Sequence, residues 1–261
     1  MQRRQLLRHF IAGAACACPA CGTFFKSAAA TASEAAHPHW AYEGHGGPAE
    51  WSKLAPEYAA CGMGKEQSPI DLAKGIPAMM SDPAVSWQAG ALEVVNNGHT
   101  IQVNCPKGST LSLDGHSYEL LQYHFHHPSE HTIAGISFEM EVHFVHRHAE
   151  GGLAVLGVMI KAGEPNPAME TIWRTMPALG GETAKSETAL HPGAMLPKDS
   201  TTYRYAGSLT TPPCSEVVSW VVYRQPITAS PEQIARFAKL FPNNARPMQH
   251  LNRRKLLLDV L

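Results

Sequence analysis

His124 and His126 stand one residue apart inside a run, Tyr118–His126, that reads as a β-strand. Side chains two apart on a strand leave the same face, so the two imidazoles project together. A second strand-like run, Phe138–Arg147, follows after a short connection and carries His143. Antiparallel pairing of the two runs brings His143 against the His124/His126 pair. Three imidazoles on one patch leave a zinc ion with an open fourth position, the arrangement of catalytic rather than structural zinc. Neutral ligands also leave the full charge on the metal, so a water held there becomes acidic enough to ionise near neutral pH.

A bland reading competes with this one. The chain has 15 His, and seven of them fall between His124 and His148, so the stretch could be a surface metal trap or a set of ordinary imidazoles. The strand spacing of the pair, with a third strand-borne His beside it, tips the balance towards a metal site.

The rest of the chain is consistent with a sheet protein. Strand-like runs recur at Leu92–Asn96, Thr100–Val103, Thr110–Leu113, Leu153–Ile160 and Ser215–Arg224, many separated by Asn-Gly, Asp-Gly or Gly-Gly turns. Helical apolar spacing is confined to Asn166–Met176 and Pro231–Phe241, with Ser230-Pro231 as N-cap and first helical residue. Residues 37–69, rich in Gly, Pro, Trp and Tyr, read as an irregular wrap with one short helix around Pro48–Leu54. The expected fold is mostly β with short peripheral helices around a central, twisted, mostly antiparallel sheet, as a single domain. With 21 Lys+Arg against 22 Asp+Glu, the formal charge of −1 offers no basic face for nucleic acid.

Residues 1–32 differ in kind. Arg3-Arg4 precedes an apolar, Ala-rich stretch, and small residues follow at Ser27–Ala32. This reads as a cleaved bacterial export signal of the twin-arginine type, with the domain at 33–261 and a periplasmic or secreted location. The apolar stretch is too short and interrupted for a membrane span, and a lipid anchor at Cys16, Cys18 or Cys21 is a weaker option. The remaining cysteines, Cys61, Cys105 and Cys214, suggest one bridge and one free thiol in an exported protein, and spacing does not say which pair.

An ordered series of motifs then accumulates: Gln67-Ser68-Pro69-Ile70-Asp71, Val95-Asn96-Asn97-Gly98-His99, Gln122-Tyr123-His124-Phe125-His126, Pro128-Ser129-Glu130-His131, Glu141-Val142-His143, Ser208-Leu209-Thr210-Thr211-Pro212-Pro213 and Asn244-Ala245-Arg246-Pro247. From about Trp40 to the end, the chain closely resembles the α-class carbonic anhydrases. The resemblance implies zinc as cofactor, carbon dioxide and bicarbonate as substrates, and His124, His126 and His143 as zinc ligands. It implies Gln122 and Glu141 as partners accepting ligand ring protons. Thr210 matches a threonine that orients the attacking oxygen and donates to a buried glutamate, here Glu130, which a hydroxyl alone can do in both directions. His99 matches a proton shuttle, with Tyr42, Asn97 and Gln102 ordering the water of the proton path. Val145, Val155, Leu209, Thr211, Val218 and Trp220 match the substrate pocket, and Cys61–Cys214 matches a disulfide frequent in bacterial members. Cys105 has no partner in this pattern. His127, His146 and His148 depart from it. A homodimer is compatible with the resemblance. The rival from another class is a non-catalytic zinc-binding module, which hydration assays with and without a chelator distinguish.

Overall fold

The computed structural model describes residues 38–260, so the export signal expected at 1–32 lies outside the described residues. Thirteen strands among them join in one sheet. They are β1 (Ile76–Ala78), β2 (Ala84–Ser86), β3 (Gly90–Asn96), β4 (Ile101–Asn104), β5 (Thr110–Leu113), β6 (His116–His126), β7 (Met140–His148), β8 (Leu153–Ala162), β9 (Thr183–Leu190), β10 (Thr202–Gly207), β11 (Val218–Tyr223), β12 (Ile227–Ala229) and β13 (Leu257–Asp259). The main path runs β1-β13-β10-β11-β8-β7-β6-β4-β3-β9. Most pairings are antiparallel, as expected, but β8 pairs in parallel with both β11 and β12, and β1 with β13.

The centre of the sheet is its most buried part. Every residue of β7 from Met140 to His146 is buried, as are most of β8 and β11. The alternation therefore sorts two kinds of interior rather than inside from outside. On one face Tyr123, Phe125, Val142, Phe144 and Leu156 join Trp173 and Phe237 in a large apolar core. Helix α3 (Pro167–Thr175) and helix α4 (Pro231–Ala238) cover that face. Both start where the sequence places them. The Asn166 side chain accepts from Ala168 and Met169 N–H at 3.0 and 3.1 Å, and Ser230 with Gln233 forms a capping box. The opposite face carries the histidines and a second apolar cluster.

The structure differs from expectation in several places, the short strands β1, β2, β12 and β13 among them. The N-terminal helix α1 is a single turn, Trp51–Leu54, followed by a 3-10 turn at Pro56–Tyr58 and helix α2 at Ala60–Met63. Strand β9, at one edge, was not anticipated because it is polar and largely exposed along its length. Strand β10 was missed as well, although five of its six residues are buried.

Candidate active site

Register does the assembly. On β6 and β7, His124 is paired directly with His143, and His126 with Glu141. Cross-strand partners share a face, so all three imidazoles converge. Ring centroids are 5.0 Å apart for His124–His126, 5.4 Å for His124–His143 and 4.6 Å for His126–His143. One nitrogen from each lies within 4.8 Å of the other two, close enough to share a metal ion.

Each ring is held by its other nitrogen. His124 Nδ1 meets Gln122 Oε1 at 2.9 Å, and His143 Nε2 meets Glu141 Oε1 at 2.8 Å. His126 Nδ1 donates to the backbone carbonyl of Asn244 at 2.8 Å. These contacts leave Nε2, Nε2 and Nδ1 free for a common guest. His126 Nε2 is buried without a hydrogen-bond partner, which suits a ligand atom facing a cation. Burial keeps the rings neutral: it lowers His124 well below the usual imidazole range, His126 to about 4, and His143 as well. Neutral imidazoles are what zinc binds.

Glu141 continues inward. Its Oε1 also meets His131 Nδ1 at 2.8 Å, and its Oε2 accepts the N–H groups of Glu130 and His131, each at 2.9 Å. Burial alone would raise this carboxyl, but His131 and His143 hold it well below the usual range. His131 Nε2 meets Tyr205 Oη at 2.6 Å, and Tyr205 donates to Ser68 Oγ at 3.0 Å. His131, Glu141 and His143 also lie within metal-binding distance of one another, but hydrogen bonds among them and to Tyr205 already occupy their facing atoms. Gly157 on β8 makes room for this carboxylate, since a Cβ there would sit 3.1 Å from Glu141 Oε1.

The comparisons with known proteins agree with this geometry. The family model for eukaryotic-type carbonic anhydrase matches residues 46–259. A carbonic anhydrase of Pectobacterium carotovorum is 44% identical over 220 residues, covering 84% of this chain and 90% of that protein. One from Nostoc is 43% identical over 242 residues, covering 90% and 92%. The chain belongs to the α-class carbonic anhydrase family. In structure it is similar to the α-carbonic anhydrase of Thermovibrio ammonificans solved with the inhibitor sulfanilamide, with a TM-score of 0.83, 43% identity and coverage of 84% and 99%. Hydration of carbon dioxide is the general activity of the family.

Around the three imidazoles, the other residues expected of a carbonic anhydrase fall as follows. Glu130 is fully buried, with Oε2 3.6 Å from His126 Nε2 and 3.9 Å from His143 Nδ1. Its Oε1 accepts Arg246 N–H at 2.8 Å. Burial pushes this carboxyl up to about 7, against the opposing pull of His143, Arg246 and the Thr210 hydroxyl. The loop carrying Thr210 and Thr211 is tied down by Leu209 N–H on Ser215 O at 3.0 Å and by Cys214 N–H on Thr211 O at 2.9 Å. Cys61 and Cys214 form a disulfide, which joins this loop to α2. Cys105 is free and half-buried, and burial pushes its thiol up to about 12.

Val145, Val155, Val218 and Trp220 belong to one apolar cluster, with Leu209 packed against it. Trp220 turns its ring edge-on to His143 at 4.9 Å. His99 lies on a turn opened by Gly98 at φ +84, where Asn97 Oδ1 accepts the N–H groups of His99 and Thr100, each at 2.9 Å. Asn97 thus holds the turn. Gln102 is the register partner of His124 and donates to Asn104 Oδ1 at 2.7 Å. Tyr42 meets the His99 ring edge-on at 6.5 Å, and burial, then the Glu130 charge, raise its phenol well above the usual range.

Asn244 carries more than its motif suggested. Besides holding His126, its side chain accepts His127 N–H at 2.7 Å and donates to His99 O and Phe125 O, each at 3.0 Å. Arg246 reaches Ser68 O at 2.8 Å and Cys61 O at 2.9 Å, fastening the C-terminal segment to the N-terminal wrap. The extra histidines stand apart from the three converging imidazoles. His127 Nδ1 meets Pro242 O at 2.9 Å, His146 is buried beneath Trp87, and His148 sits edge-on to His116.

Proposed function

We propose that His124, His126 and His143 hold a zinc ion and that the enzyme uses it to interconvert carbon dioxide and water with bicarbonate and a proton. The observation that carries this reading is the division of labour within the three rings: one nitrogen of each is fixed by Gln122, Asn244 O or Glu141, and the other faces a common point. Zinc at that point supplies a water acidic enough to ionise near neutral pH, the known behaviour of this metal in carbonic anhydrases.

The chain's own groups do the rest. Gln122, Asn244 and Glu141 fix tautomer and ring orientation. Thr210 accepts a hydrogen bond from the attacking oxygen and donates its own proton to Glu130, so the lone pair points at the substrate. This direction requires Glu130 ionised, and positive charge at the three-imidazole site favours the carboxylate against its burial. Val145, Val155, Leu209, Val218 and Trp220, with Thr211 at the rim, form the wall that receives carbon dioxide, a small apolar molecule. His99 takes the released proton outward, along water ordered by Tyr42 and Gln102. The Cys61–Cys214 bridge supports export to an oxidising compartment. No helix among the described residues is long and apolar enough to cross a membrane.

The test is stopped-flow hydration with metal content measured on the same sample. Activity is expected to vanish on chelation and return with zinc. His143→Ala is expected to lose both zinc and activity, while His148→Ala loses neither. Full hydration after complete metal removal, or equal losses in both variants, sinks the assignment.

A further inference from the structure

Asn97 and Gly98 form the one Asn-Gly pair in the chain, and both are exposed on the turn that precedes His99. We propose that Asn97 is a site of self-modification, losing its side-chain amide to attack by the Gly98 backbone nitrogen, and that Asn96 is the brake on this reaction.

The turn prepares the electrophile. Asn97 Oδ1 accepts the backbone N–H groups of His99 and Thr100, each at 2.9 Å. Two fixed donors on one amide oxygen polarise Cγ and stabilise the charge that oxygen gains when a nucleophile adds. The nucleophile is next in the chain, and it carries no side chain to crowd the approach. A Cβ on Gly98 would meet nothing within 4 Å, so a ring formed there has open space. One contact opposes the attack: Gly98 N–H donates to Asn96 Oδ1 at 3.0 Å. That proton must leave before the nitrogen can attack, and the bond turns it away from water. The brake is itself held firmly. Asn96 is buried, and its Nδ2 donates to Pro177 O at 3.1 Å. Its backbone N–H donates to Glu182 O at 3.0 Å, and its carbonyl accepts Gly181 N–H at 2.7 Å.

The chemistry needs only water and hydroxide. The Gly98 nitrogen gives its proton to hydroxide and forms a bond to Asn97 Cγ. The Cγ–Nδ2 bond breaks, and Nδ2 leaves as ammonia after taking a proton from water, which restores the hydroxide. A water molecule then opens the imide at either carbonyl, giving aspartate or its β-linked isomer. In sum one water is consumed and one ammonia released, and nothing is oxidised or reduced. Both products put a carboxylate into the turn that carries His99, and the β-linked one also adds a methylene to its backbone.

The test is prolonged incubation of the full chain in warm, mildly alkaline buffer, with peptide mass mapping to follow the exchange of –NH2 for –OH at each asparagine. In the folded enzyme Asn97 is expected to change first, and Asn97→Gln to abolish that product, because attack one carbon further out closes a larger ring more slowly. Asn96→Ala is expected to speed the change at Asn97 roughly 5- to 10-fold, the weight of one backbone hydrogen bond. Circular dichroism checks that this variant is folded. Should it not fold, the wild-type chain in denaturing urea supplies the released state, and Asn97 is expected to change faster there than in the folded enzyme. The proposal is overturned if another asparagine changes first in the folded enzyme, or if the product survives Asn97→Gln. It is also overturned if folded Asn96→Ala keeps the wild-type rate, or if folded and unfolded wild-type chains lose the Asn97 amide equally fast.

Discussion

Replacing His146 with Leu should flatten the acid limb of the stability curve without touching the metal site. His146 is fully buried on the face of β7 opposite His143, between Leu120 and Ala154 in register. Its Nδ1 meets Ala154 O at 3.2 Å, while its Nε2 has no hydrogen-bond partner. Burial lowers its pKa to about 4, against the smaller opposing pull of the Ala154 and Phe144 carbonyls. In the unfolded chain an imidazole titrates near 6.5, so the unfolded state takes up a proton first as pH falls. Stability is complete above about pH 6.5 and declines until the folded form also protonates near 4. At pH 4.5 this one group should have removed about 2.5 kcal/mol, approaching about 3.4 kcal/mol at lower pH. His146→Leu removes the titration. At pH 7 it should change stability by no more than about 1 kcal/mol, since losing the weak bond to Ala154 is offset by losing an unpaired nitrogen. The assay is urea unfolding from pH 7.5 to 4.5 with the disulfide intact, comparing variant with wild type so that the other histidines cancel. Parallel stability curves for the two proteins would refute the reasoning.

Three further outcomes follow from the site. Thr210→Ala should keep its zinc while hydration falls roughly 100-fold, as expected for removing one oriented polar group at a reacting centre, and unchanged turnover would reduce the loop to a structural role. Gly157→Ala places a Cβ 3.1 Å from Glu141 Oε1, and displacing that atom from His143 should weaken zinc affinity roughly 10-fold by competition with a chelator; an unaltered affinity would show that the carboxylate shifts freely. Reducing the Cys61–Cys214 bridge, which spans 153 residues, should cost up to about 5 kcal/mol on the chain-entropy account, and a melt insensitive to reductant would contradict it.

The sequence reveals what is local and periodic. His124 and His126 are legible because a strand repeats every second residue, and α3 and α4 because their apolar residues recur at helical spacing, with Ser230-Pro231 marking where α4 starts. Strand β9 hides because an exposed edge needs no apolar alternation, and its pairing with β3 is a long-range event. The parallel docking of β8 against β11 is hidden for the same reason. Within the site, Gln122 and Glu141 could be assigned through side-chain motifs. The support for His126 could not, because it is a backbone carbonyl, and every residue type has one. His131 and Tyr205 are far apart in the chain, and only the fold turns them into neighbours.

Asn244 gives the site an unusual relation to the end of the chain. All three imidazoles are encoded before residue 144, but the carbonyl that orients one of them and the backbone N–H that holds Glu130 come from residues 244 and 246. A chain cut short between β11 and Asn244 would carry all three imidazoles and still lack these two supports. The centre is thus finished only by the last stretch of the chain, which returns across the sheet to hold His126 and Glu130.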